Sequence, residues 1–329
     1  MKTQDSADLC YPQIHNYSCK KPSSIWTDVV LVQITLSLIS LITVALNLLV
    51  IISVSLFRQL HTPTNFLLLS LAVSDLLVGF LSMPGEIYRH TTCWFLGDTI
   101  CFLYNYLCVV TTSASVGDMV LISIDRYMAI CDPLHYQTRV TERRVKVCVC
   151  LCWLCSVVYS IVFIKDDLIK TGWNNSCYGE CVTVVDVITA TFDLVIIFIA
   201  PVTIIIVLYV RVFVVAMSQA RAMRSQVTAI KMQLSVTTTA NKSELKAART
   251  LGVLVLVFLL CFCPYYCLSL AAEDSFSSST MFTLYYLFYF NSSLNPMIYA
   301  LFYPWFRKTV KLIVTLKILK PGSFEAQIL

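Results

Sequence analysis

Charge is what this 329-residue chain has least of: Asp, Glu, Lys and Arg together make up 13% of it, against 58% apolar residues. Soluble domains carry nearer a quarter charged residues, so the shortage excludes a water-soluble globular protein and indicates a membrane protein. Histidine is sparse too. His15, His61, His90 and His135 are the only four, all expected outside the apolar runs, and no enzyme's acid–base set can be assembled from them. Neither an internal repeat nor a long low-complexity tract is apparent. That argues against a transporter or channel, which usually shows repeated halves and helices broken near the midplane. A cleavable signal peptide is also lacking, since Lys2 is followed by polar residues; the first apolar run is expected to direct insertion itself.

What is present is seven apolar runs, at about residues 29–57, 66–83, 102–124, 145–164, 184–216, 250–270 and 281–302. Each is long enough to cross a bilayer as a helix. Six Lys and Arg residues fall on one set of alternate loops and eighteen on the other. By the positive-inside rule the N-terminus is outside and the C-terminus cytosolic; the plasma membrane is the expected location. The net charge of +5 therefore belongs to the cytosolic face, where it suits anionic lipid and a partner protein rather than nucleic acid. The expected fold is an all-α membrane protein, a seven-transmembrane-helix bundle. Its parts are an outer tail at 1–28, the bundle at 29–303, an amphipathic interfacial helix at 304–317 and a cytosolic tail at 318–329.

The third run organises the rest. Residues 101–127 hold a single glycine, Gly117, and no proline, and they end on Asp125-Arg126-Tyr127. An acid and a base side by side mark a membrane interface, and Asp125 is the natural resting partner of Arg126. Other acids lie deeper, where each costs about 2.5–3.5 kcal/mol on insertion scales and so needs a reason. Asp75 has Ser115, Asn291 and Asn295 as plausible neighbours in one interior cavity. Such a set of oxygens suits either a hard cation or a water-filled hydrogen-bond cluster. Asp193 stands among Phe192, Leu194, Ile196 and Ile197, with no Lys or Arg in the outer half of spans three to seven. A buried carboxylate without a cation is either protonated or hydrogen-bonded, or awaits a cationic ligand. The aromatic faces of Phe262, Tyr265, Tyr266 and Tyr289, with Cys108, Thr112 and the second-choice acid Glu86, are expected around that ligand. Glu86 and Asp186 read as solvated rim charges, or as anchors for the second amine of a diamine.

Fifteen cysteines do not make a metal protein, because most lie inside apolar spans and act there as small hydrophobes. Cys152 and Cys155 have redox spacing in the wrong context. Cys10, Cys19, Cys93, Cys101, Cys177 and Cys181 fall on the oxidising side, and spacing alone leaves their pairing open. Asn16 and Asn174 open glycosylation triplets on that same side.

Taken in order, Asn47, Leu71-Ala72-Val73-Ser74-Asp75, Cys101, Asp125-Arg126-Tyr127, Trp153, Pro201, Tyr209, Pro264 and Asn295-Pro296-Met297-Ile298-Tyr299 resemble the rhodopsin-like G-protein-coupled receptors. The run from Asn291 through Tyr303-Pro304-Trp305-Phe306 is similar to the signature of trace amine-associated receptors, as are Leu60 to Asn65 and Cys131 to Leu134. The resemblance implies an olfactory receptor for small volatile amines, coupled to a heterotrimeric G protein of the stimulatory type and to cyclic AMP. It implies sodium at Asp75 as the one candidate cofactor, and a structural role for Asp118 with Trp153 and Ser70 as donors. It implies disulfides Cys101–Cys181 and Cys19–Cys177, with Cys10 the competitor for Cys177. It also implies a resting lock between Arg126 and Glu244, with Tyr209 and Tyr299 receiving Arg126 on activation. Two departures stand out: the third-helix Asp that binds amines in many members is Cys108 here, and Phe262 replaces a sixth-helix Trp. A branch of the family without the third-helix Asp has one in helix five, the place of Asp193. A general odorant or aminergic neurotransmitter receptor on the same fold is the alternative.

Overall fold

A computed structural model describes residues 9–14, 17–21, 26–165, 177–183, 185–229, 252–268 and 278–316. Seven helical spans form the bundle. They are Trp26–Leu56, Pro63–Thr91, Gly97–Cys131, Glu142–Phe163, a fifth running from Val187 to Ala229, Gly252–Leu268 and Ser278–Phe302. The first five are long and apolar enough to cross a membrane. The third packs against the second, fourth and fifth, so the helix singled out by its sequence is the bundle's hub. Outward faces carry Leu41, Leu151, Leu154, Val158, Val207 and Val214, all exposed and apolar, as a lipid-facing surface requires.

Local chemistry sets the helix limits. Thr62 caps the second span by accepting from the Asn65 N–H, with Pro63 at the first helical position where its missing N–H costs nothing. Thr141 does the same for the fourth. Two spans contain a turn of π-helix, Val78–Ser82 and Leu194–Ile199. Each lies just before a proline, Pro84 and Pro201, whose ring would collide with the carbonyl four residues back; the wide turn absorbs that conflict. After Tyr303 the chain turns into the helix Pro304–Val314, which buries Trp305, Phe306 and Thr309 and exposes Arg307, Lys308 and Lys311. Arg307 donates to the carbonyls of Ala300 and Leu301, at 2.9 and 3.0 Å, closing the end of the seventh span.

Opposite that end, three disulfides tie the chain together: Cys101–Cys181, Cys19–Cys177 and Cys10–Cys93. The third is the pairing that spacing left open; Cys10 goes to Cys93 rather than competing for Cys177. Backbone bonds Cys10 to Cys19, Cys19 to Tyr178 and Trp94 to Gly179 fold the N-terminal segment onto the loop before span five.

A candidate ligand cavity under the disulfide end

A cavity of about 450 Å³ opens below the disulfides, between spans two to seven. Of the residues the sequence suggested for a ligand, Asp193, Cys108, Thr112, Tyr265, Tyr266, Tyr289 and Glu86 line it. Phe262 does not. It is 3% exposed, and its ring stacks on Phe258 and meets Phe288 at a tilt, at 4.3 Å from each, one layer beneath the floor. Tyr159, Tyr285, Phe288, Arg89, His90 and Glu180 also line the cavity, and sequence reasoning passed over them.

Asp193 sits at the junction where span five passes from α- to π-helix. No cation reaches it among the described residues, but it is not bare. The hydroxyl of Tyr159 on span four donates to Oδ1, and that of Tyr266 donates to Oδ2 at 3.1 Å. Both donors are neutral phenols, so the carboxylate is oriented without being neutralised. Tyr266 stacks on Phe198 at 4.6 Å, and Tyr265 meets Tyr285 at 5.3 Å and Phe288 at 5.4 Å, giving an aromatic wall beside the acid. Cys108 is a buried free thiol on the facing helix.

Glu86 corrects an expectation. It is 3% exposed rather than solvated at the rim, because span two continues as helix to Thr91 and carries it inside. Arg89 donates to its Oε2 at 2.7 Å, and Tyr104 donates to its Oε1 at 3.1 Å. His90 lies on the same helix with Nε2 3.4 Å from Oε2, so one histidine does fall within a span. Gly85 makes this possible: any side chain there would collide with the Tyr104 ring. Asp186, by contrast, is exposed and caps span five, accepting from the N–H groups of Ile188 and Thr189 at 3.1 and 3.3 Å. The Thr189 hydroxyl, then those amides, hold its carboxyl below the usual range.

Deeper in the bundle, Asp75 is fully buried and accepts from Asn295 at 2.8 Å and Ser115 at 3.3 Å, with Ser292 a further donor. Asn291 does not bond Asp75; its Oδ1 and that of Asn295 are buried without a partner. Asp118 receives the Ser70 hydroxyl at 2.8 and 2.9 Å, while Trp153 donates to Ser70 at 3.0 Å and not to the acid. Trp153 thus acts through Ser70.

At the opposite end, Arg126 bonds Asp125 and Thr64. Asp125 also accepts from Thr64 at 2.9 Å and from Tyr136 at 2.8 Å. Arg126 reaches neither Tyr209 nor Tyr299 among the described residues; Tyr209 packs on Gly252, and the buried Tyr299 hydroxyl has no partner there. Glu244, Asn16 and Asn174 lie outside the described residues.

Comparison with known proteins agrees with this architecture. Residues 46–299 match the 7 transmembrane receptor (rhodopsin family). Trace amine-associated receptor 13c of Danio rerio is 36% identical over 98% of this chain and 96% of its own length. Trace amine-associated receptor 8c of Rattus norvegicus is 37% identical over the same shares. Trace amine-associated receptor 1 of Mus musculus is 36% identical over 89% of this chain and 91% of its own. Members of this group are multi-pass plasma-membrane receptors, not enzymes, and act on a heterotrimeric G protein in response to a small ligand. A seven-helix bundle with a cavity at one end and the Asp125–Arg126 clamp at the other, matched along nearly its whole length, belongs to the rhodopsin family of seven-transmembrane receptors and, within it, to the trace amine-associated receptors.

Proposed function

We propose that this receptor senses protonated amines and that the ligand ammonium pairs with Asp193. The observation that carries this reading is the partner set of that carboxylate. Among the acids lining the cavity, Glu86 is neutralised by Arg89, and Glu180 lies in the loop that roofs the cavity. Asp193 stands inside the bundle with two phenol donors and no cation among the described residues. An ammonium arriving there makes a charge-assisted bond in a site largely shielded from water. Tyr265, Tyr266, Tyr285 and Tyr289 then add cation–π attraction of about 0.5–2 kcal/mol each where a ring face is presented.

The transmission step is a population shift. An amine drawn between spans four, five and six favours the form in which span six moves and the cleft at the Arg126 end opens to the G protein. Pro264 within span six supplies the bend. We take the N-terminal segment as extracellular from the distribution of Lys and Arg, and Pro304–Val314 as lying along anionic lipid. Stimulatory coupling, cyclic AMP and an olfactory setting follow from the family resemblance. Sodium fits the Asp75 cluster, since two buried amide oxygens there, on Asn291 and Asn295, lack partners among the described residues. Asp75, Ser115, Asn291 and Asn295 would hold it, and the ion would supply a positive charge to a fully buried carboxylate.

Removing one partner of a buried ion pair costs about 3–5 kcal/mol, or about two to four decades of affinity. Asp193→Ala should therefore lose amine sensitivity by about that factor in a cyclic AMP assay while reaching the cell surface. Full sensitivity in that variant ends the assignment.

A further inference from the structure

The cavity presents carboxylates on two walls, yet the wall formed by span two is already occupied. Glu86 and Arg89 both line the cavity, one helical turn apart, and are joined at 2.7 Å. The Arg89 guanidinium also reaches the Cys181 carbonyl at 3.4 Å and lies 5.7 Å over the ring of Tyr285, itself part of the lining. Glu86 takes a further donor from Tyr104, and His90 stands against the same carboxylate. This wall is at least charge-balanced, and its cation is held in place by an acid, a carbonyl and an aromatic face. Asp193 and this pair line the same cavity, so a ligand long enough to cross it from Asp193 meets such surroundings.

We propose that Arg89 is a specificity-determining residue: by occupying Glu86 it confines the receptor to amines with one positive charge and rejects the second ammonium of a diamine. The inference rests on Asp193 as the ammonium site and names the ligand class for it, monoamines with an apolar or hydrogen-bond-accepting far end. Discrimination of this kind depends on a built-in repulsive element, and a partly buried guanidinium facing a second cation is one. Glu86, read from sequence as a candidate second anchor, is thereby unavailable.

The test compares pentylamine and hexylamine with the diamines of the same carbon chains, by cyclic AMP response at matched surface expression. Wild type should require about tenfold more diamine than monoamine, or a larger excess. Arg89→Gln should shift the diamine-to-monoamine ratio of half-maximal concentrations by about tenfold or more toward the diamine, and Arg89→Gln/Glu86→Gln should cancel that gain. Arg89→Met, which keeps an apolar stem against Tyr285, repeats the measurement should the Gln variant be retained inside the cell. Three outcomes overturn the proposal: a wild type that prefers diamines, an expressed Arg89 variant with an unmoved ratio, or a gain that survives loss of Glu86. The last would place the second ammonium on another acid such as Glu180. Asp193→Ala separates the two readings: if it keeps monoamine responses, the ammonium site is wrong, whatever the Arg89 ratio does.

Discussion

Tyr136→Phe is expected to raise signalling when no amine is present. Tyr136 stands on the short helix Pro133–Arg139, and its hydroxyl donates to Asp125 Oδ1 at 2.8 Å while Thr64 and Arg126 hold Oδ2. Phenylalanine keeps the ring and deletes only the donor. A hydrogen bond to a charged group contributes about 1.5–3 kcal/mol when shielded. Tyr136 is half-buried, so water restores part of that, leaving about 1–2 kcal/mol, a factor of about 5–30 in an equilibrium. If the bond exists only while Arg126 is clamped, a receptor that is about 1% active at rest becomes about 5–25% active. Cyclic AMP measured without ligand, in cells matched for surface receptor, reads this directly. Basal activity at or below wild type would refute the view that Tyr136 belongs to the resting clamp.

Ser70→Ala strands both the fully buried Asp118 and the Trp153 N–H, at about 1–3 kcal/mol for each group. The melting temperature should fall by several degrees, and by less in Asp118→Asn, which keeps a partner for Ser70 without the charge. Exchanging choline for sodium should raise the ligand-free melting temperature of wild type but not of Asp75→Asn; equal shifts in both would remove the ion from that cluster. Asp186 has its carboxyl held below the ordinary value, so its cap stabilises fully above about pH 4 and is lost as pH falls through the lowered value. The excess stability of wild type over Asp186→Ala should therefore be flat near neutrality and shrink only in acid.

The seven spans and the central role of residues 101–127 were legible because a bilayer demands long apolar helices, and that demand leaves a one-dimensional trace. Asp193 was legible for the same reason, as an acid in hydrocarbon without a nearby base. Its phenol donors were not: Tyr159 is 34 residues away on another helix, and nothing in a tyrosine's sequence surroundings says which way its hydroxyl points. Glu86 misled because hydropathy ends the second run near Met83, whereas the helix continues through the polar Gly85–His90 stretch once Arg89, His90 and Tyr104 supply partners. Phe262 was one layer off: it shares a helix face with Tyr265 and Tyr266 but sits one turn deeper, and periodicity fixes the face of a helix without fixing the depth at which a cavity ends.

The three bridges at the mouth of the cavity impose an order on the making of this receptor. Cys10 finds Cys93 after 83 residues, but Cys19 must wait for a partner 158 residues downstream, beyond four spans already threaded into the bilayer. Until Cys177 is made, Cys93 and Cys101 are the partners Cys19 can meet first, and thiol–disulfide exchange must undo any premature union. The protein's export is thus tied to the thiol machinery of the compartment that folds it, and cells poor in that machinery should accumulate receptor with its roof wrongly sewn.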